Sequence, residues 1–330
     1  MYMAGSSTDF KAVILAGGSG ERFWPLSTPE RPKQFLRVFG GESLLRQSVT
    51  RLLGLVRFED VFVVTSKALV SATRKELPEI PLGNIVGEPM RRDTAAAVAL
   101  GVAMAGKGVI GVFSSDQMVR DAKGFRETVK KAVAKAKSGP KIVTIGIKPT
   151  FASTGFGYVD PVTKCFAEKP DRKKASEYLK KGYLWNAGMF IATQSTFRRA
   201  FVAHATELTA LSESNGAPER LKAVYEALPK ISFDYAIMEK YGDVDVVPGD
   251  FGWDDVGSFA AFDTYFPHDR AGNVREGPCT VVESKGNICV ARSARISLLG
   301  VDNLVVVTTP DAVLVASKDR ISEMKKLFAK

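Results

Sequence analysis

The sequence predicts an α/β fold with a mostly parallel sheet, followed by a small all-β unit. Three observations support this. Continuous apolar, β-rich runs alternate with helical patterns through the first half of the 330 residues. A glycine-rich turn follows the first of those runs. From about residue 271 the pattern changes to short strands broken by Gly, Asn, Asp and Pro. Continuous apolar strands set between amphipathic helices are buried on both faces, which is the condition of a parallel sheet covered by helices.

Element by element, Lys11–Ala16 is a strand entering the glycine-rich turn, Ser43–Leu53 is helical, Asp60–Thr65 is a strand and Lys67–Leu77 is helical. An Ala-rich helix, Asp93–Ala105, feeds the strand Val109–Phe113, and the helix Ala122–Ser138 feeds the strand Lys141–Ile147. The basic run Lys130, Lys131, Lys135 and Lys137 has Ala and Val at the intervening positions, so it reads as an exposed helix face. Beyond residue 150 strands are expected at Gly157–Asp160, Lys164–Ala167 and Met189–Ala192. The closing β unit comprises Thr280–Glu283, Ile288–Ala291, Ile296–Leu299, Leu304–Thr308 and Ala312–Ala316, with a helix at Lys318–Phe328. The expected division is therefore 1–270 and 271–330.

Composition narrows the function. A hydrophobic content of 45% with 25% charged residues is that of a soluble globular chain. No run approaches the roughly 20 apolar residues of a membrane span. Met1–Phe10 lacks the apolar segment of a secretory signal, so cytoplasm is the expected compartment. The three cysteines, Cys165, Cys279 and Cys289, form no CxxC pair and there are only two histidines. That argues against a Cys/His zinc site, suggests core or strand thiols, and leaves a mechanism without a histidine base. The net charge of +10 suits polyanionic small ligands. The basic residues are dispersed and no helix-turn-helix, RNP or zinc-finger pattern accompanies them, so no nucleic-acid partner is expected.

The strongest chemical signal is Leu15-Ala-Gly-Gly-Ser-Gly-Glu-Arg-Phe-Trp-Pro-Leu-Ser27, followed by Arg31-Pro-Lys-Gln34. Gly17, Gly18 and Gly20 let backbone N–H groups approach anionic oxygens. A P-loop would need GxxxxGK[ST] and a dinucleotide fingerprint a third glycine where Phe23 stands, so both alternatives fail. Arg22 and Lys33 add fixed positive charge.

This motif resembles the signature of the sugar-nucleotide pyrophosphorylases, and in its detailed form is similar to the mannose-1-phosphate guanylyltransferase family. The match continues in order through Gly87-Glu-Pro-Met-Arg-Arg-Asp-Thr-Ala95, Ser114-Ser-Asp-Gln117, Gly155-Phe-Gly-Tyr158, Phe166-Ala-Glu-Lys-Pro170, Trp185-Asn-Ala-Gly-Met-Phe190, Ser232-Phe-Asp-Tyr235 and Gly252-Trp-Asp-Asp-Val-Gly-Ser258. The resemblance implies a Rossmann-like nucleotidyltransferase domain and a C-terminal piece like a left-handed β-helix. It also implies a reaction: GTP and mannose 1-phosphate give GDP-mannose and pyrophosphate, with Mg²⁺.

On the same ground Leu15, Ala16, Gly17, Gly18, Gly20, Glu21, Arg92, Asp93, Thr94 and Ser115 would bind the nucleotide. Arg22 would hold the leaving phosphates, Lys33 the α-phosphate region and Lys169 the sugar's phosphate. Gly157, Glu168 and Asn186 would recognise the sugar, and a carboxylate with an amide suits a polyol. Asp116 and Asp255 would be the metal ligands, whereas Asp254 falls on a variable place of the motif. Asp93 also reads as a helix cap. The family often dimerises through the C-terminal piece, which the sequence by itself does not establish for this chain. Gln117, Asp93 and Ala187 stand where the family commonly has His, Asn and Ser, which bears on base and sugar preference. Two alternatives stay open: the same chemistry on another nucleotide or sugar 1-phosphate such as one leading to GDP-glucose, and a non-catalytic nucleotide-sugar-binding protein. Intact Arg22, Lys33, Asp116 and Asp255 argue against the second.

Overall fold

Strand β1 (Phe10–Ala16) is apolar on both faces because it runs through the centre of a sheet. The computed structural model describes residues 9–18, 20–213 and 218–328. Chain order continues with α1 (Leu44–Thr50), β2 (Val61–Ser66), α2 (Val70–Glu76), β3 (Ile85–Glu88), α3 (Asp93–Ala105), β4 (Val109–Ser114), β5 (Met118–Val119), α4 (Ala122–Lys137) and β6 (Ile142–Ile147). Next come β7 (Tyr158–Val159), β8 (Phe166–Ala167), α5 (Arg172–Lys180), β9 (Leu184–Thr193), α6 (Gln194–His204), α7 (Ala210–Glu213), α8 (Pro218–Ala227), β10 (Val244–Gly249) and β11 (Trp253–Asp254). The described residues fall into two compact units. The first is made by residues up to Gly17 and by Leu45–Asp254, the second by Gly18–Leu44 and the chain from Asp255 onward.

In the first unit the strand order is β10-β6-β9-β4-β1-β2-β3. All neighbours are parallel except β9, which runs antiparallel to both β4 and β6, so the sheet is mixed and mostly parallel as expected. The hairpin β7–β8 hangs on β9, and β5 pairs with β11 in a small separate ribbon. Helix α3 is buried almost throughout because its alanines let it lie close on the sheet. A Cβ at Gly101 would stand 2.3 Å from Val13 Cγ1. Lys130, Lys131, Lys135 and Lys137 do lie on the exposed side of α4. Strand β10 is an addition to the elements expected from the sequence. It contains Pro248, and it tolerates that residue because it is an edge strand paired only with β6.

The second unit carries α9 (Ala261–Tyr265) and the strands β12 (Val274–Glu276), β13 (Cys279–Val282), β14 (Ile288–Ala291), β15 (Ile296–Leu299), β16 (Leu304–Thr308) and β17 (Val313–Ser317). Parallel stacking of β12–β14–β16 and of β13–β15 gives the coils of a β-helix, and β17 closes it antiparallel on β16. Buried asparagines hold the coil turns together. Asn287 donates from its backbone and its Nδ2 to Asn273 Oδ1 at 2.9 and 3.0 Å, while Asn287 Oδ1 accepts from Leu304 N at 2.9 Å. Cys289, Ala291, Ile296 and Val306 form the core, with Cys279 packed against it.

Two expectations need correction. The closing segment is a 3₁₀ run, Lys318–Leu327, rather than an α-helix. Cys165 is neither a core nor a strand thiol, being exposed in the turn where Asp160 caps the backbone and Lys164 takes φ +64°.

Candidate functional site

Gly20 sets the form of the signature segment. Its φ is +64°, and an added Cβ would stand 2.2 Å from Lys33 N, so only glycine fits against the Pro32–Lys33 backbone. Ser27 Oγ donates to Gly20 O at 2.6 Å, and Gln34 Nε2 to Gly18 O at 3.3 Å, closing the loop from within. Phe23 is buried against Phe259 and Phe39, and Phe39 meets Phe262, Tyr265 and Phe266. This aromatic cluster fastens residues 18–44 to the segment that leads into the β-helix. Lys33 is only 4% exposed and its Nζ donates to Asp255 O at 2.6 Å. The Nη1 of Arg22, an exposed residue, lies 3.4 Å from the place a Cβ would take at Gly257. The second unit thus brings together Gly18, Gly20, Arg22, Lys33 and Asp255; Glu21 is exposed beside them.

The carboxyl ends of the strands carry the next set, in the first unit, as expected of an open α/β sheet. Leu15 O accepts from Ser115 N at 3.1 Å and Ala16 O from Thr65 Oγ1 at 3.0 Å, which pins the end of β1. Just past β4, Asp116 Oδ1 accepts from Ser114 Oγ at 2.5 Å. Arg51 is buried nearby, donating to Gln117 O at 3.0 Å over the Phe125 ring. Burial lowers its guanidinium to about 10, opposed by the charge of Asp116.

At the end of β3 stands Glu88, a residue that sequence reasoning passes over. Glu88 Oε2 lies 3.1 Å from the place a Cβ would take at Gly17, and Glu88 Oε1 accepts from Tyr225 OH at 3.1 Å. Burial pushes its carboxyl up to about 7; the Tyr225 hydrogen bond opposes this and the Asp93 charge adds to it. Its signal is the Gly87-Glu-Pro motif, of which only the tail carries an expected role. In that tail Asp93 takes φ +65° and accepts from Thr94 N at 2.8 Å, but it is the first residue of α3 and Arg92 stands at the capping position without a side-chain hydrogen bond, so the expected cap is not formed. Thr94 Oγ1 accepts from Phe233 N at 2.8 Å. Arg92 donates to Tyr225 O at 2.6 Å and Glu226 O at 2.9 Å, the carbonyls that end α8.

Gly157, Glu168, Lys169 and Asn186 converge around β7, β8 and β9. A Cβ at Gly157 would lie 2.5 Å from Glu168 Oε2, so the carboxylate rests directly on that backbone. Lys169 takes φ +40° and donates to Glu168 Oε1 at 2.5 Å. Burial lowers the Lys169 amine, but the hydrogen bond and charge of Glu168, with the charge of Asp234, outweigh it and raise it overall. Asn186 Oδ1 accepts from Thr144 Oγ1 at 2.7 Å and from Gly188 N at 3.1 Å, while its Nδ2 donates to Asp234 at 2.9 Å. Gln117 joins two other motifs, accepting from Trp253 Nε1 and donating to Ala187 O, each at 2.9 Å. Among the described residues no three His, Cys, Asp or Glu side chains form a cluster able to hold a metal ion on protein ligands alone.

Comparison with known proteins decides the family. The nucleotidyl transferase pattern matches residues 11–271, and the mannose-phosphate isomerase/GMP-like β-helix domain pattern matches residues 277–330. The chain belongs to the nucleotidyl transferase family. It is 35% identical over 341 residues to a mannose-1-phosphate guanylyltransferase of Escherichia coli, covering 95% of this chain and 72% of that protein. It is also 35% identical to the mannose-1-phosphate guanylyltransferase RfbM of Salmonella typhimurium, covering 96% and 71%. A solved structure from Thermus thermophilus, described as a mannose-1-phosphate geranyltransferase, superposes with a TM-score of 0.88 at 35% identity, covering 97% of this chain and 98% of that one.

Family membership makes the chain an enzyme of nucleotidyl transfer. It also accounts for the two features that sequence periodicity alone leaves unexplained, the unbroken glycine signature and the β-helical end. Two half-buried carboxyls, Glu88 and Asp234, are raised by the loss of solvent around them and have no role in the sequence reading.

Proposed function

We propose that this chain joins GTP to mannose 1-phosphate, giving GDP-mannose and pyrophosphate. An oxygen of the sugar phosphate attacks the α-phosphorus of GTP in line, a new P–O bond forms, and the bond to the β-phosphate oxygen breaks. The nucleophile is already an anion, so no base is needed, and the protein's work is positioning and charge neutralisation. Arg22 would neutralise the leaving phosphates and Lys33 the α-phosphate region, while Lys169 would take the sugar's phosphate. The observation that carries the reading is the cluster of Glu168, Lys169 and Asn186 laid against Gly157. A carboxylate and an amide beside a cation are the groups that a phosphorylated polyol requires.

Mg²⁺ is the proposed cofactor, with Asp116 and Asp255 as ligands on the ground of their motif positions. Hard carboxylate oxygens fit that ion, and water and phosphate oxygens would complete its coordination. When bound it would neutralise phosphate charge and orient the α-phosphorus. The division of labour proposed is catalysis by residues 1–270 and assembly by 271–330. A homodimer through the β domain is supported by Val313 and Val315, each 63% exposed on the edge strand β17. Beside them is a groove of about 620 Å³ lined by Trp24, Leu327 and Phe328. Among the described residues no helix is long and apolar enough to cross a membrane, and a cytoplasmic location is proposed.

The test is pyrophosphate release with Mg²⁺ over a matrix of nucleotides and sugar 1-phosphates. GTP with mannose 1-phosphate should give the highest kcat/KM. A clear preference for UTP or dTTP, or for another sugar phosphate, would replace this reading with its neighbour in the family, and silence with every pair would leave a binding protein.

A further inference from the structure

Asp234 is a half-buried carboxyl that the reaction above does not use. It opens a π-helical turn, Asp234–Met238, a local irregularity that recurs at functional sites. Its backbone is held on both sides: Thr94 Oγ1 accepts from Phe233 N at 2.8 Å, and Asp234 O accepts from Glu239 N at 3.0 Å. Glu239 in turn accepts from Glu168 N at 2.9 Å. The π turn is therefore bonded directly to the backbone of the residue that rests on Gly157.

The side chain faces the same cluster. Asp234 Oδ1 accepts from Asn186 Nδ2 at 2.9 Å. Both lone pairs of Asn186 Oδ1 are taken by Thr144 and Gly188, so Asp234 fixes the remaining end of that amide and leaves one N–H to offer a ligand. Two carboxyl groups, Glu168 and Asp234, then share one cation, Lys169. Burial and the charge of Glu168 raise the Asp234 carboxyl to about 7, against the Lys169 charge and the Asn186 hydrogen bond. Protonation of Asp234 would leave Glu168 as the single full negative charge that Lys169 has to balance. A sugar phosphate that draws on Lys169 would release Glu168 to accept from sugar hydroxyls, and the raised carboxyl of Asp234 lessens the negative charge beside it.

We propose that Asp234 is a positioning residue of the sugar-phosphate subsite, which orients the Asn186 amide beside Glu168 and so sets affinity for the sugar 1-phosphate but not for the triphosphate. The inference rests on the function proposed above. Its test compares KM for mannose 1-phosphate and for GTP in wild type, Asp234→Ala and Asp234→Asn, with thermal unfolding as a control. Asp234→Ala should raise the sugar-phosphate KM about tenfold, the scale of losing one buried hydrogen bond to a polar partner, and leave the GTP value within about twofold. Asp234→Asn, which keeps a neutral acceptor for Asn186, should recover most of the loss. Should the alanine variant not fold, Asp234→Glu, which displaces the carboxyl by one methylene, should show the same split. Wild-type silence with every sugar phosphate would remove the functional reading and this inference with it. An active wild type whose variants leave both KM values unchanged, or raise both together, would overturn the inference alone.

Discussion

Alanine at position 20 would place a methyl group where the backbone of Lys33 stands. The added Cβ would lie 2.2 Å from Lys33 N, 2.9 Å from Lys33 Cβ and 3.1 Å from Lys33 Cα, at a residue whose φ is +64°. A left-handed backbone costs a non-glycine residue roughly 1–2 kcal/mol, and the chain would also have to part by about 1 Å to reach ordinary contact. Neither cost unfolds an enzyme of this size; a Tm lower by a few degrees, about 2–4 °C per kcal/mol, is expected. Turnover should suffer more. Lys33 is the neighbour that moves, and its Nζ is held on Asp255 O at 2.6 Å, beside the proposed metal ligand. Misplacing such a group by about 1 Å costs on the order of 10² in rate, about what Lys33→Ala itself should lose. Pyrophosphate release at saturating substrates and scanning calorimetry measure the two effects separately. Gly18→Ala is the contrast, because its Cβ would meet nothing nearer than Gln34 Oε1 at 4.0 Å, and the fold should not notice it. Gly20→Ala with turnover within about threefold of wild type would refute the argument that this glycine positions Lys33.

Three further predictions concern charge and assembly. Asp116→Asn and Asp255→Asn should stay folded, need more Mg²⁺ for half-maximal rate and lose most turnover at saturation. Asp254→Asn should do far less, and a severe loss there with Asp255→Asn unaffected would reverse the assignment. Glu88 binds its proton more tightly folded than unfolded, so the stability it contributes is complete below pH 4.5 and is lost as pH rises through about 7. That loss is on the order of 3 kcal/mol. Glu88→Gln should flatten the stability profile over this range in urea unfolding, and an unchanged slope would show that Glu88 is not its source. Lysine at both Val313 and Val315 should convert a dimer into a monomer in sedimentation equilibrium. A monomeric wild type, or a variant that still dimerises, would contradict the proposed interface.

Much of the site was legible because its motifs are local. Gly20 is needed by a backbone angle, Arg22 and the Arg31-Pro-Lys33 segment follow it on the same stretch of chain, and Gly157 and Glu168 flank the short strands β7 and β8 while Asn186 lies on β9. What failed to show was burial. Glu88 and Asp234 each sit inside a quoted motif, yet a carboxyl in a sequence is exposed by default. Only the packing of Tyr225 against one and of Asn186 against the other marks them as half-buried. Arg92 illustrates the reverse case: it is a cation in a nucleotide-binding motif, and its guanidinium is engaged by the carbonyls of α8, far along the chain.

The sequence by itself determined most of the strands and helices (though not β3 or β10), where the glycine signature lies and that the pattern turns to short strands beyond residue 271. Each of these depends on side-chain period or on backbone angles set within a few residues. Tertiary structure alone decided that β9 runs against its neighbours, since an apolar strand reads the same in both directions. It also decided that residues 18–44 belong with the chain beyond Asp255 rather than with the sheet that precedes them. The aromatic contacts of Phe23 and Phe39 with Phe259, Phe262, Tyr265 and Phe266 make that union. The hydrophobic drive to take these rings out of water is non-directional, so nothing in the local sequence names the partners; they are chosen by which surfaces the folded chain leaves to be covered.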